Sequence, residues 1–480
     1  MKAFNWCATP HVPLRHPDRY YNPYICRIAP ADSSFELQWG DHGSDGAHTL
    51  YYRLRGSEDE WVAVPLTEKA VTVSGIENLV DYELYIGRDD GSGKSRMRLL
   101  NACDAPGVVI NYIHPEDDYY DFAGNFIGTP NIVKLPSGHY LATHDVFGKS
   151  EYGFSMVFLS KDKGATWEHQ CDLHPICECK PFVHNGRLYL IGRFSLEEIV
   201  ISESLDEGKT WSEPSVILRG DYYFNACNRS GFQLSETPVI VHNGRIFMSF
   251  EVGAWCETSG EGFVNSMLSA PADSDLFDIN NWEYVPLTKV PQDIVIPGVK
   301  YDYLVAIEGN PISGPDGELY NMMRIDHVLK DNIAKGDFST PNNMALLYRF
   351  KSFDEPLEFV QTVDVAVGLR SMFFVKYDEV TGYYFVLGNE CQAGNETEEP
   401  NGTRRCIYTL SASKDLKNWR KLKELINCSE FANYCVSQPA FIIDGDDLCY
   451  MSRTGWGKIE NQHNNNLLTF HREKNFRNLL

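Results

Sequence analysis

One eight-residue pattern occurs twice in this chain and limits what it can fold into more than any other feature. SKDKGATW occupies residues 160–167 and SLDEGKTW residues 204–211, and both fit S-x-D-x-G-x-T-W. The residue types are those of a tight hairpin turn. The Asp carboxylate accepts backbone N–H groups, the Gly supplies a positive φ, and the Trp closes the turn against its own sheet. A looser third copy, SKDLKNW, spans residues 413–419. Turns that recur in this way predict repeated four-stranded units rather than one continuous sheet.

Six further segments support the repeat. Each is a short apolar strand, a Gly-containing turn and a second strand, and they begin at Thr129, Lys180, Thr237, Asn310, Met372 and Gln438. Their turns carry SG, NG, NG, DG, TG and DG, the dipeptides of hairpin loops. The expectation is an all-β chain whose residues 106–480 form a β-propeller of six blades, with a seventh left open by the length available. The last strand, within LLTFHREKNF, is expected to pair near the start of the propeller and close the ring. NYIHPED, at residues 111–117, reads as a turn-rich bridge into it.

Residues 1–105 have a different rhythm. SSFELQW, HTLYYRLRG, EWVAVPL, KAVTVSGI, DYELYIGR and KSRMRLL alternate apolar and polar residues between Gly, Asp and Ser turns, which predicts a β-sandwich. LVDYELY resembles the tyrosine corner of fibronectin type III domains, with Tyr82 at the corner and Trp39 in the core. No cluster of acid, base and nucleophile falls in this part.

Charge narrows the partners. With 66 acidic and 43 basic residues the formal charge is −23, so a nucleic acid is not an expected partner. No stretch approaches the apolar length of a membrane span, and the first twenty residues lack the apolar core of a secretory signal. The 13 cysteines show no stapled framework and fit reduced thiols. The expected compartment is therefore the cytoplasm. Cys171, His174, Cys177 and Cys179 crowd into CDLHPICEC, with ligand types that suit zinc; the reading adopted is reduced loop thiols, and no metal or other cofactor is expected.

In a propeller the first strand of every blade lines the central channel. Residues ahead of the six first strands gather at one mouth: Thr129, Lys180, Glu236, Glu308 with Asn310, Arg370 and Gln438. The far ends of the second strands return to the same face and add His144 with Asp145, Arg193, Glu251, Arg324, Asn389 and Arg453. Buried cations of this kind call for an anionic ligand, a carboxylate or a sulfate.

The repeated turn is the Asp-box, and with the blade rhythm it resembles the sialidase-like propeller superfamily. More closely, FIGTPNIVKLPSGHYLATHDVFG, FVHNGRLYLIG, TPVIVHNGRIF, YLVAIEGNPI, GDDLCYMSRT and TFHREKNFR resemble bacterial sialidase-type proteins related to ulvan lyases and to propeller rhamnosidases. The similarity covers most of residues 105–478. It implies a carbohydrate-active enzyme with a glycan partner. Two departures matter. Gly128-Thr129-Pro130 stands where sialidases carry Arg-Ile-Pro, so a three-Arg carboxylate clamp would have to be rebuilt from Arg324, Arg370 and Arg453. His144 matches a His of the relatives, but the His expected before the third blade is replaced by Gln233 and Glu236 in GFQLSETP.

Two schemes follow. In hydrolysis, Glu236 and Glu308 serve as acid and as base or nucleophile, with Asp145 third; Tyr303 is a candidate aryloxide nucleophile. In β-elimination, His144 or Tyr303 takes the C5 proton of a uronic acid while Arg324 neutralises its carboxylate. Lys180, Arg193, Arg324, Arg370, Arg453 and Gln438 are the expected substrate-binding residues. The lean is to exo-hydrolysis of a terminal acidic sugar, with a lyase or a non-catalytic glycan-binding propeller as the alternatives.

Overall fold

The computed structural model describes residues 22–117, 124–148, 154–194, 198–220, 231–253, 263–296, 301, 303–328, 343–368, 371–392, 405–430 and 433–480. The chain is all-β: among the described residues the only helical elements reported are short 3₁₀ turns such as Ile279–Asn281 and Phe476–Leu479.

Seven strands make the N-terminal part: β1 (Tyr24–Ala31), β2 (Ser34–Gly40), β3 (His48–Leu54), β4 (Val62–Leu66), β5 (Ala70–Ser74), β6 (Asp81–Arg88) and β7 (Arg98–Asn101). They form two sheets, ordered β1-β2-β5 and β4-β3-β6-β7. Alternation decides which side chains meet: Phe35, Leu37 and Trp39 of β2 and Tyr82, Leu84 and Ile86 of β6 enter one shared core. The Tyr82 hydroxyl accepts the Glu77 N–H at 3.0 Å, which ties the β5–β6 connection to the core. The six alternating runs are β2 to β7. Strand β1 escapes that pattern because it is buried on both faces, and Arg27 Nε donates across to the carbonyl of Ile110 at 2.6 Å.

Strand β8 (Val108–Tyr112) follows, so the start of NYIHPED is strand and only what comes after Tyr112 is loop. Six antiparallel sheets then succeed one another. The first has β9 (Gly124–Lys134), β10 (Tyr140–Gly148), β11 (Phe154–Ser160) and β12 (Glu168–Leu173). The second has β13 (Ile176–His184), β14 (Arg187–Phe194), β15 (Glu198–Ser204) and β16 (Ser215–Arg219). In the third, β17 (Gly231–Gln233) and β18 (Ile240–His242) both pair with β19 (Arg245–Gly253), followed by β20 (Val264–Pro271) and β21 (Glu283–Tyr284). The fourth has β22 (Tyr303–Ser313), β23 (Leu319–Val328), β24 (Asn343–Arg349) and β25 (Glu358–Gly368). The fifth has β26 (Phe373–Asp378), β27 (Tyr383–Asn389), β28 (Ile407–Ser413) and β29 (Trp419–Asn427). The sixth has β30 (Cys435–Asp444), β31 (Asp447–Gly455) and β32 (Leu467–Glu473), and its edge is completed by β8. The closing strand thus pairs with the start of the region, as expected, with Leu467 opposite Tyr112. First strands touch between the first and second, the fourth and fifth, and the fifth and sixth sheets, β18 touches β22, and β30 returns to β9.

The repeated turns join third and fourth strands. In the first copy Asp162 accepts Ser160 Oγ, Thr166 N and Thr166 Oγ1, Ser160 Oγ accepts Gly164 N, and Trp167 Nε1 donates to Gly164 O. Asp206 and Trp211 repeat these bonds, and Asp415 and Trp419 keep most of them. Each turn is also a wedge against the preceding sheet. A Cβ on Gly164 would lie 2.2 Å from the Phe470 ring of β32, and one on Gly208 2.4 Å from Leu141 of β10. Leu416 packs with Ile312 and Tyr320 of the fourth sheet. Glycine is needed at 164 and 208 twice over, for φ of 90° and 88° and for this approach.

Candidate active site

Register within the first strands builds the site. Pairing slips between Thr143 and Asp145 opposite β9, between Cys177 and Lys180 on β13, between Ile307 and Asn310 on β22, and between Ser437 and Ala440 on β30. At each slip one non-glycine residue has a positive φ: Thr129 (33°), Glu178 (55°), Glu308 (57°) and Gln438 (52°). A left-handed residue in a bulge costs about 1–2 kcal/mol and re-aims its side chain out of the pleat. The third sheet does the same by a longer break. β17 ends with Gln233 opposite Glu251, β18 resumes with Ile240 opposite Phe247, and Glu236 sits in the excursion between them. Thr129, Glu178, Glu236, Glu308 and Gln438 all line one cavity of about 370 Å³, at the opposite end of the sheets from the Asp-centred turns.

Glu236 is 1% exposed and, among the described residues, neither carboxyl oxygen has a hydrogen-bond partner. Burial and then the nearby Glu308 push its pKa up to about 8, while Arg453 and Lys180 pull the other way. It therefore holds a proton at neutral pH. Asp145, on the end of β10, is raised to about 6 by burial and by Glu178, and its Oδ1 is unpartnered. Its carboxylate lies over Gly128, where a Cβ would come within 2.3 Å of Oδ1.

The other two acids are paired. Glu308 accepts Arg324 Nη1 at 2.7 Å, and Arg324 Nη2 reaches Asp326 Oδ2 at 2.9 Å. Glu178 takes Arg193 Nε and Nη2 in a fork at 3.0 Å each, and also accepts the Leu234 N–H at 2.7 Å. Arg453 is different: it is 2% exposed, its Nε makes a 3.4 Å contact with Ser437 Oγ, and its Nη2 has no partner among the described residues. The guanidinium lies 5.6 Å from the centroid of the Phe147 ring, and burial lowers its pKa. His463 is held far below the ordinary imidazole value by burial and by Arg453, Arg405 and Arg324. Gln438 Oε1 is buried and open. The cavity thus combines a neutral acid, paired carboxylates and an incompletely satisfied cation.

Of the residues expected from sequence, Glu236, Glu308, Asp145, Arg193, Arg453 and Gln438 line this cavity. Arg324 stands behind Glu308 rather than in the wall. Lys180 is not at the mouth. It lies two residues past the bulge and points beneath the floor, where Nζ donates to Thr237 O at 3.0 Å and Thr237 Oγ1 at 2.6 Å. His144 is also withdrawn: the extra residue of the slip lies on β9, β10 keeps an unbroken register with β11, and plain alternation sends His144 to the face opposite Asp145, stacked on Phe158, with Nδ1–H toward Asp145 O and Nε2 accepting from Asn111. Burial takes its pKa down to about 4. Tyr303 begins β22, packs with Val305, and is absent from the cavity wall. Arg370 lies outside the described residues. The crowded cysteines are on strands, not in a loop: Cys171 Sγ faces Gly208 O and Cys177 Sγ faces Arg193 O, and among the described residues no metal-ligating cluster forms.

Sequence reasoning missed Glu178 and His463. A signal for Glu178 exists in E-C-K-P at residues 178–181, which matches E-G-N-P at 308–311 across the two bulges.

No protein-family model and no curated protein matches the sequence. Among solved structures, a Hadza microbial sialidase, Hz136, superposes with a TM-score of 0.48 at 12% identity over 98% of this chain and 99% of that one. A Trypanosoma rangeli sialidase in complex with the inhibitor DANA gives 0.47 at 14% identity, over 82% of this chain and 58% of that one. A polysaccharide lyase described as a PL25 ulvan lyase gives 0.44 at 10% identity, over 96% of both chains. At these scores the similarities assign neither activity nor substrate.

Proposed function

We propose that the six sheets are the blades of a sialidase-like β-propeller over residues 106–480, preceded by a fibronectin type III-like sandwich over residues 1–105. We propose further that the chain is a carbohydrate-active hydrolase that removes a terminal acidic sugar from an oligosaccharide. The observation that carries this reading is Glu236, a buried carboxyl without hydrogen-bond partners among the described residues, kept neutral at pH 7 and facing a cavity shared with Glu308. Hydrolysis of a glycosidic bond needs such a pair. Glu236 gives its proton to the leaving oxygen as the bond to the anomeric carbon breaks. Water then adds to that carbon and passes its proton to Glu308. The open Nη2 of Arg453 supplies the charge-assisted donor for a sugar carboxylate, and Gln438 Oε1 accepts from a hydroxyl.

Elimination is less well supported. It needs a competent base on the cavity wall, whereas His144 is turned into the core and Tyr303 lies off the wall. His463 does line the cavity, but its protonated form is strongly disfavoured there. The buried thiols of Cys171, Cys177, Cys179, Cys435 and Cys449 suit a reducing compartment such as the cytoplasm.

The test is incubation with oligosaccharides capped by sialic or uronic acids, with products followed by mass and by the absorbance of unsaturated uronic acids. Fragments that together gain one water, and that vanish in Glu236→Gln and Glu308→Gln, support hydrolysis. Dehydrated, absorbing fragments would replace it with elimination. Saturable binding without products would reduce the chain to a glycan-binding module.

A further inference from the structure

Directly beneath the cavity floor, side chains two residues past the bulges reach over to the backbone of the next sheet. Asn131 Nδ2 donates to Cys179 O at 3.4 Å, Lys180 Nζ to Thr237 O, and Asn310 Nδ2 to Phe373 O at 3.1 Å. The tie is the same in all three places, and an amide makes it in two of them. At the third, the one that holds the segment carrying Glu236, the donor is a fully buried ammonium. A tether alone does not need a charge, and burying one costs several kcal/mol unless it is compensated.

We propose that Lys180 is a positioning residue for Glu236: its ammonium anchors the strand break that presents Glu236 to the cavity, and its charge is felt by that carboxyl. The proposal rests on Glu236 acting as the acid of the reaction. The compensating groups are in place. Burial brings the Lys180 pKa down to about 8 against the pull of Glu251 of β19, Glu178 of its own strand and Glu308 of β22, and Glu236 adds to that pull only once it is ionised. Glu236 in turn feels Glu308, Arg453, Lys180 and the buried Tyr408. Glu251 completes the layer by accepting Asn265 Nδ2 at 2.8 Å and the N–H of Gly309, the neighbour of Glu308, at 3.3 Å.

The test compares kcat/KM against pH for the native chain, Lys180→Gln and Lys180→Arg, on the glycan hydrolysed in the panel above. Gln keeps a donor but removes the cation that favours ionised Glu236, so the basic limb should move up by on the order of one to two pH units. Arg should hold the limb in place. A loss of rate in Lys180→Gln with the limb unmoved would reduce Lys180 to a structural tie and overturn the proposal. Where Lys180→Gln lacks a cooperative melt, Thr237→Val decides. It removes the 2.6 Å acceptor and leaves the cation, so kcat should fall with the limb in place, and a shifted limb would overturn the proposal. Glu236→Gln runs alongside: full activity there would sink the reading of the acid itself, a failure separate from that of Lys180.

Discussion

Replacing Glu236 with Gln should make the protein more stable and inactive at once, by an amount that depends on pH. In the unfolded chain a glutamate titrates near 4.5, whereas in the folded chain Glu236 titrates near 8. A carboxyl with a raised folded-state pKa contributes its full stability below the lower value, and that contribution is lost as pH rises through the higher one. Between these values the folded chain keeps a proton that the unfolded chain has released, and each pH unit removes about 1.4 kcal/mol. At pH 7 the penalty is about 3 kcal/mol. Gln escapes it. For a chain of 480 residues with roughly 2 cal/mol/K of unfolding entropy per residue, this corresponds to a rise in Tm of about 3 °C. Thermal unfolding of both proteins at pH 5, 6, 7 and 8 and constant salt measures it. The gap should be about 1 °C at pH 5 and widen with pH, while turnover falls by about 10²–10⁴-fold. Curves that stay parallel across that range would refute the assignment of Glu236 as a buried neutral acid.

Two further outcomes are expected. Gly208→Ala should destabilise the chain by about 2–4 kcal/mol, because a Cβ there is strained by the positive φ and also drives into Leu141; denaturant midpoints check this, and a loss below 1 kcal/mol would mean the wedge is not tight. Tyr303→Phe should keep kcat within about twofold, since the ring is off the cavity wall; a loss of about 100-fold would restore Tyr303 as the nucleophile.

What could be read from the chain itself was local. Turn chemistry is written in consecutive residues, so Asp162, Asp206 and Asp415 with their Trp partners marked the joins between third and fourth strands, and the Gly-containing dipeptides marked the six hairpins. Alternation marked β2 and β6, whose burial alternates along the strand, while β7, buried throughout, was found from its place after a turn. Alternation did not mark β1, which is covered on both faces and so has no period to show. The strand-end residues Glu236, Glu308, Asp145, Arg193, Arg453 and Gln438 could be assigned to one place because hairpin position is nearly enough to say which end of a sheet a residue occupies.

Which face each of them occupies was decided by tertiary structure. A strand has a period of two, so one residue added by a bulge exchanges inside for outside. That exchange puts Glu178 in the cavity and Lys180 beneath it; on β10, whose register with β11 is unbroken, plain alternation brings Asp145 to the wall while His144 turns to Phe158. Charge state is equally non-local. Nothing in GFQLSETP says that Glu236 is neutral, because its pKa comes from the loss of water and from Glu308, Arg453 and Lys180, which three other sheets supply. The sequence alone therefore determined the repeated turns and hairpins, whose energetics lie within a few residues. Only the assembled sheets decided which carboxyl carries the proton, because desolvation belongs to the packed molecule and not to any segment of it.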